Sequence, residues 1–253
     1  MIASSFGGLV WLLLLLGPFL FIQRSLHREI QTTFYIITRH PTVTLIIFSL
    51  LFFPGVVLHE TSHWLMARLL GVRTGNFSLL PRPLKNGRLQ LGYVETEPTD
   101  VIRDSLIGVA PLITGGFAVA YLAGIHLGLF PIVTLIFRQE WDQVWGGLKI
   151  LPMWPDFWLW FYLAFAISST MMPSASDRQA WLPVLLVVGG LVVISLLAGA
   201  GPWMLQNIAP WFNQAMQNLA VVLSISLLIQ SSLLIPTWGL RVILGRLTGI
   251  RYQ

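Results

Sequence analysis

The strongest chemical signal in the sequence is the segment His59-Glu60-Thr61-Ser62-His63, which has the form H-E-x-x-H. Residues four apart lie on one face of a helix, so the two imidazoles can reach the same ion. Glu60 follows the first histidine and can accept a proton from a water molecule held beside them. Zinc lowers the pKa of such a water from 15.7 towards roughly 7, which supplies a nucleophile at neutral pH. The motif therefore predicts a hydrolytic centre with one Zn²⁺ ion, His59 and His63 as ligands and Glu60 as the catalytic acid/base.

The residues around this motif are apolar. It lies in the second half of a hydrophobic run over 42–70, with Leu58 and Trp64 as its immediate neighbours. A single charge at the centre of a membrane-spanning helix costs about 2.5–3.5 kcal/mol, and ionisable residues at such positions usually serve a function. The alternative is that the two histidines and the glutamate only form hydrogen bonds between helices, and we favour metal binding over it.

A third ligand is expected, because a catalytic zinc usually takes three protein ligands and leaves one position open. The chain has no cysteine, so this ligand must be His, Asp or Glu. His27 and His40 are predicted outside the membrane or at its edge, and His126 at the far end of a later helix. Four acidic residues near the predicted hairpin resemble solvated charges: Glu95, Glu97, Asp100 and Asp104. Asp177, which ends the fourth predicted helix on the side where the second ends, is the preferred third ligand.

Composition places these residues in a membrane protein. The chain of 253 residues is 55% hydrophobic and only 10% charged, whereas soluble domains carry about 25% charged residues. The net charge of +5 is typical of basic residues that collect in cytoplasmic loops. No basic stripe interleaved with aromatic residues is present, so nucleic acid is not expected as a partner.

The hydropathy pattern predicts an all-α polytopic membrane protein, with 1–253 as a single transmembrane domain. About six helices are expected, over 2–22, 42–70, 104–130, 157–173, 180–200 and 215–238. Residues 72–103 are polar and predict a small β-hairpin after the second helix, with Asn86-Gly87 among its turn residues. Residues 131–156 predict an interfacial segment, since Trp141, Trp145 and Leu148 recur at i, i+4 and i+7.

Six crossings would place both termini on one side of the bilayer. With this arrangement ten basic residues lie on the side of the termini and five on the other, which favours termini inside. The basic cluster at 24–39 argues in the other direction. We therefore predict a multi-pass protein in the lipid bilayer of a prokaryotic cytoplasmic membrane, with both termini inside.

Residues 42–178 resemble the site-2 protease family of intramembrane zinc metalloproteases in three features. The first is H-E-x-x-H within a transmembrane helix, and the second is a hairpin followed by a helix with Gly108-Val109-Ala110-Pro111-Leu112-Ile113-Thr114, similar to the family's Gly-Pro-x-x-Asn. The third is a later helix that ends in Pro173 and then Asp177, where the family has Asn-x-x-Pro and then Asp-Gly. Thr114 replaces the family's asparagine and Arg178 replaces its glycine, so the chain resembles a divergent member.

The resemblance implies a function and a role for each site residue. It makes His59, His63 and Asp177 the ligands of one Zn²⁺ and Glu60 the catalytic residue of an endopeptidase that cleaves transmembrane segments of other proteins. It also implies that the hairpin at about 73–97 offers an edge strand to an unwound substrate, which main-chain hydrogen bonds would hold.

Two other functions remain open. A non-proteolytic, protease-like subunit or scaffold of a membrane complex would keep the fold and bind partner membrane subunits. Its motivation is the altered sequence around Asp177 and the tryptophans of the outer segment, although an interfacial aromatic belt is the simpler explanation of those tryptophans. A transporter that uses the ionisable groups as a proton relay is less favoured, because such proteins contain inverted repeats and none is evident here.

Overall fold

The computed structural model describes residues 6–83 and 89–249, and these residues form ten α-helices and four short strands. The helices are α1 (Gly7–Thr38), α2 (Pro41–Leu51), α3 (Phe53–Leu69), α4 (Val101–Tyr121), α5 (Leu129–Phe137), α6 (Trp141–Ile150), α7 (Phe157–Thr170), α8 (Trp181–Leu197), α9 (Gly201–Asn207) and α10 (Ala209–Thr248). The strands are β1 (Thr74–Ser78), β2 (Arg82–Pro83), β3 (Leu89–Gln90) and β4 (Tyr93–Thr96). The chain is therefore mainly helical, as the sequence predicts.

Several of these helices are suited to cross a bilayer. Among the described residues, three are long and apolar enough on their own, namely α1, α10 and α4 with its π-helical extension to His126. Two pairs qualify only as broken spans: α2 with α3, bent by 70°, and α6 with α7, bent by 100°. These three to five candidate spans agree with the predicted integral membrane character.

The first helix continues well beyond its predicted end. Hydropathy places that end at residue 22, but α1 runs to Thr38 and terminates at Arg39, whose φ of 52° is left-handed. His27 is thus inside α1, where its ring packs edge-on against Phe48 and Phe52, with centroids 5.6 and 4.8 Å away. The prediction that the first helix ends at residue 22 is wrong, because the end of an apolar run does not mark the end of a helix.

The bend between α2 and α3 lies at Phe52, just before Pro54. A proline near the start of a helix is tolerated, because its missing N–H would have no intrahelical partner there. Gly55 follows within the first turn of α3. A Cβ at Gly55 would lie 2.3 Å from the Ala166 carbonyl oxygen and from Thr170 Oγ1. Glycine therefore lets α3 approach the end of α7 directly.

The predicted hairpin is present. Strands β1 and β4 pair antiparallel, with Thr74 opposite Thr96 and Ser78 opposite Tyr93, and β2 pairs with β3 further along. The predicted Asn86-Gly87 turn lies outside the described residues.

After the hairpin, Asp100 caps α4 by accepting hydrogen bonds from the backbone N–H groups of Arg103 and Ile102 at 3.0 and 3.1 Å. These bonds, chiefly that of Arg103, hold the pKa of Asp100 below its ordinary value.

The segment predicted to lie in the interface, 131–156, contains part of α5, the whole of α6 and a short 3-10 turn. Trp141 and Trp145 are exposed on α6, as an interfacial aromatic pair would be. The fifth predicted helix corresponds to α8, which has 17 residues and no buried side chain. Its apolar surface therefore faces away from the other helices.

Helices α1 and α10 pack along each other in parallel. Near their starts, the Gly8 backbone N–H donates to Asn213 Oδ1 at 2.7 Å. Near their far ends, Arg241 of α10 forms a largely buried ion pair with Glu29 of α1. Six alternating crossings would make the first and last helices antiparallel. The parallel packing therefore does not agree with six crossings or with both termini on one side.

Candidate metal centre

Helix α3 places the two histidines of the H-E-x-x-H motif on one face, as their spacing predicts. His59 and His63 lie one helical turn apart, with their Nε2 atoms 3.2 Å from each other. The rings meet nearly edge to face, with centroids 4.8 Å apart. Both Nε2 atoms therefore point to the same small region of space.

A backbone carbonyl orients each ring from behind. His59 Nδ1 lies 2.7 Å from the Thr170 carbonyl oxygen at the end of α7, and His63 Nδ1 lies 2.8 Å from the Ile107 carbonyl oxygen on α4. A carbonyl can only accept, so each Nδ1 carries the proton of its ring. A neutral imidazole then presents a lone pair at Nε2, which is how metal-binding histidines are usually held.

Asp177 completes the group from a distant part of the chain. Its Oδ1 lies 3.4 Å from His63 Nε2, and its Oδ2 lies 3.8 Å from His59 Nε2. The predicted fourth helix, 157–173, is shorter in the structure, because α7 ends at Thr170 and Asp177 follows in a turn. Ser174 fixes this turn: its backbone N–H donates to Asp177 Oδ2 at 2.6 Å, and its hydroxyl accepts from the Asp177 N–H at 3.3 Å.

The donor set fits a divalent cation. One ligand atom from each of His59, His63 and Asp177 lies within 4.8 Å of the other two, and these side chains are only 14%, 8% and 16% exposed. Two nitrogen lone pairs and a carboxylate repel one another at such distances unless a positive charge lies between them. Ligand atoms of a tetrahedral zinc site, at about 2.0–2.1 Å from the metal, are roughly 3.3 Å apart. The separations of 3.2 Å between the two Nε2 atoms and 3.4 Å between His63 Nε2 and Asp177 Oδ1 are close to that value.

Glu60 lies beside this group, buried at 7% exposure. The hairpin covers it, because a Cβ at Gly92 would lie 2.8 Å from Glu60 Cγ and 3.0 Å from Glu60 Oε1. Sequence reasoning did not identify Gly92 as a site residue. The available signal was a glycine within a strand segment, which often marks the close approach of another group to the backbone.

A second glycine admits the Asp177 turn. On α4, a Cβ at Gly108 would lie 2.1 Å from the Asp177 carbonyl oxygen. Gly108 immediately follows Ile107, the residue that orients His63. One turn of α4 therefore holds both a ligand ring and the backbone of the proposed third ligand.

The other sequence candidates lie apart from the group. His126 stacks on Trp160, with centroids 3.8 Å apart, and His40 precedes α2 at an exposed position. Glu95 accepts from Asn76 Nδ2 at 3.0 Å in the hairpin. Within the described ranges, His59, His63 and Asp177 form the one cluster of three potential ligands.

In comparisons with known proteins, no family model, curated protein or solved structure matches this chain. The site residues are therefore assigned from the sequence motif and from their geometry.

Substitution of Gly108 tests how the third ligand is positioned. Gly108→Ala is expected to displace the Asp177 turn and to weaken zinc binding by roughly 10–100-fold, the usual effect of disturbing the support of a metal ligand. Competitive titration with a zinc chelator measures this. The matched control is Gly116→Ala on the same helix, where the new Cβ would meet Val222 at an ordinary 3.9 Å. Equal zinc affinity in the two variants would contradict the assignment.

Proposed function

We propose that this chain is an intramembrane zinc metalloendopeptidase that hydrolyses peptide bonds in the transmembrane segments of other proteins. The observation that carries the proposal is the convergence of His59, His63 and Asp177 beside the buried carboxylate of Glu60. The motif lies in a helix that is part of a candidate membrane span. Membership of the site-2 protease family, which the sequence resembles, is part of this proposal.

The proposal assigns a distinct task to each residue. His59, His63 and Asp177 would hold the ion. Bound zinc polarises the scissile carbonyl and lowers the pKa of water. Glu60 accepts a proton from the attacking water and transfers it to the leaving amine, the usual cycle of a general base that then acts as an acid. The Thr170 and Ile107 carbonyls keep both rings in the required tautomer.

The hairpin is the element best placed to position a substrate. Its backbone at Gly92 contacts Glu60, so a segment lying along the hairpin would pass close to the general base. A peptide bond in an intact helix is shielded, and the substrate must be extended before attack. In the sheet of β1 and β4, each strand has an outer edge to which an extended peptide could add.

We further propose five membrane crossings, formed by α1, the α2–α3 pair, α4, α7 and α10. This number makes α1 and α10 parallel, as the contacts at Gly8 and Glu29 require. Helix α8 then does not cross. Eleven residues separate it from α10, seven of them in α9, and they reach about 25 Å at most, less than a hydrocarbon core of about 30 Å.

With five crossings, the distribution of basic residues no longer supports the placement of both termini in the cytoplasm. The side with the hairpin has seven basic residues: Arg68, Arg73, Arg82, Lys85, Arg88, Arg103 and Arg178. The other side has eight: Arg24, Arg28, Arg39, Arg138, Lys149, Arg241, Arg246 and Arg251. Because the two sides hold nearly equal numbers of basic residues, the positive-inside rule favours neither orientation.

Cysteine labelling tests this topology, and the natural chain supplies a background without cysteine. Single variants Phe6→Cys, Ala200→Cys and Thr248→Cys would be treated with a membrane-impermeant maleimide in intact and permeabilised cells. Positions 6 and 200 are expected to react from one side and position 248 from the other. Labelling of positions 6 and 248 from the same side would contradict five crossings.

The Glu60→Gln variant tests the chemistry. It keeps the size of the side chain but removes the proton acceptor, so peptide cleavage in proteoliposomes should fall by about 10²–10⁴-fold. Its zinc content should equal that of the natural protein, because Glu60 is not a proposed ligand. Cleavage at the full rate would contradict the mechanism. A zinc-loaded natural protein that cleaves no transmembrane substrate would favour a non-proteolytic subunit of a membrane complex.

A further inference from the structure

Polar side chains are buried deep in α10 without partners. Gln230 and Ser226 lie one turn apart and are both 0% exposed. Among the described residues, neither amide atom of Gln230 nor the hydroxyl of Ser226 has a hydrogen-bond partner. Buried polar groups in native proteins are almost always paired with protein atoms or ordered water. A fully buried amide with both ends unsatisfied therefore points to a ligand.

Two neighbouring helices supply similar groups. On α1, His27 Nε2 is buried and unpaired within the described part of the chain, and on α7 the same holds for Ser169 Oγ. Gln23 of α1 connects these helices by donating from Nε2 to the Ser169 carbonyl oxygen at 2.7 Å. We call His27, Ser169, Ser226 and Gln230 the interior polar cluster.

The register of the helices places these groups at one depth. Helices α1 and α10 run in parallel, and Thr33 and Thr237 line the same cavity between them. Leu26 lies two turns before Thr33 on α1, and Gln230 lies two turns before Thr237 on α10. Leu26 and Gln230 are therefore at about the same height along the bundle. His27 is adjacent to Leu26, and Ser226 lies one turn before Gln230.

The third helix reaches the same level. The Gln23–Ser169 hydrogen bond places the end of α7 beside Gln23, which lies about one turn before His27 on α1. Gln23 itself is buried at 9% exposure, so this bond lies inside the helix bundle. The four members of the cluster therefore come from three packed helices and lie within about two helical turns of one another along the bundle.

We propose that the interior polar cluster is a buried water-binding site. Its members offer an amide donor and acceptor, two hydroxyls and an imidazole nitrogen, and ordered water inside proteins makes two to four hydrogen bonds to such groups. The chemistry favours a neutral ligand, because the cluster contains no carboxylate for a cation and no lysine or arginine for an anion. The nearest acidic side chain along α1, Glu29, is already paired with Arg241.

This water site and the candidate metal centre share the last turn of α7. The Ser169 carbonyl faces α1 and accepts from Gln23, whereas the next carbonyl, of Thr170, accepts from His59. The two sites therefore contact consecutive residues of α7. The inference rests on buried polar groups and stands whether or not the chain is a protease.

Water-edited solid-state NMR of the full chain in lipid bilayers tests the proposal directly. The side-chain amide of Gln230 is assigned by backbone connectivity and by its loss in Gln230→Met. Gln214, on the same helix, is exposed and bonded to Asn218, so its amide is the reference for contact with water. Magnetisation transfer from water to Gln230 comparable to that for Gln214 is expected. Transfer no greater than that to lipid-facing side chains of α8 would overturn the proposal.

Thermal unfolding gives an independent readout. If water bridges the cluster, Gln230→Met displaces it and leaves Ser226 and His27 unsatisfied, so Tm should fall by roughly 2–4 °C or more. If the cluster is dry, the same change removes an unsatisfied amide and Tm should rise. The control Gln214→Met should unfold near the natural temperature. A higher Tm for Gln230→Met would contradict a bound water.

Discussion

The structure depends on the convergence of three electron-rich atoms within a largely apolar helix bundle. His59 and His63 direct lone pairs at one another across 3.2 Å, with the Asp177 carboxylate at 3.4 and 3.8 Å. Each ring is held in this orientation by a carbonyl from another helix, one from α7 and one from α4. Such an arrangement is unfavourable in the absence of a cation and favourable around one. The packing of α3 between α4 and α7 therefore brings the three candidate ligands together.

This convergence depends on close backbone contacts at three glycines. Gly55 lets α3 approach α7, Gly108 lets the Asp177 turn lie against α4, and Gly92 lets the hairpin lie on Glu60. At each of these positions a methyl group would come within 3.0 Å of a neighbouring atom. Three glycines from three elements thus determine how closely α3 approaches α7, the Asp177 turn approaches α4, and the hairpin approaches Glu60.

Local features of the site could be predicted from the sequence, and long-range ones only in part. The pairing of His59 with His63 follows from helical periodicity. Asp177 was chosen by elimination and depth, and the structure places it beside both rings. Gly92 was missed, since its role depends on a contact across elements. Hydropathy ended the first helix at residue 22, whereas α1 runs to Thr38, because it measures apolar length and ignores packing partners.

The central claim is that His59, His63 and Asp177 together bind one cation. The most direct measurement is the zinc content of the purified protein by inductively coupled plasma mass spectrometry, compared with that of His59→Ala, His63→Ala and Asp177→Ala. About one zinc per chain is expected in the natural protein, with a strong loss in each of the three ligand variants and full retention of the metal in Glu60→Gln. Zinc absent from the natural protein, or bound equally by all three ligand variants, would contradict this claim.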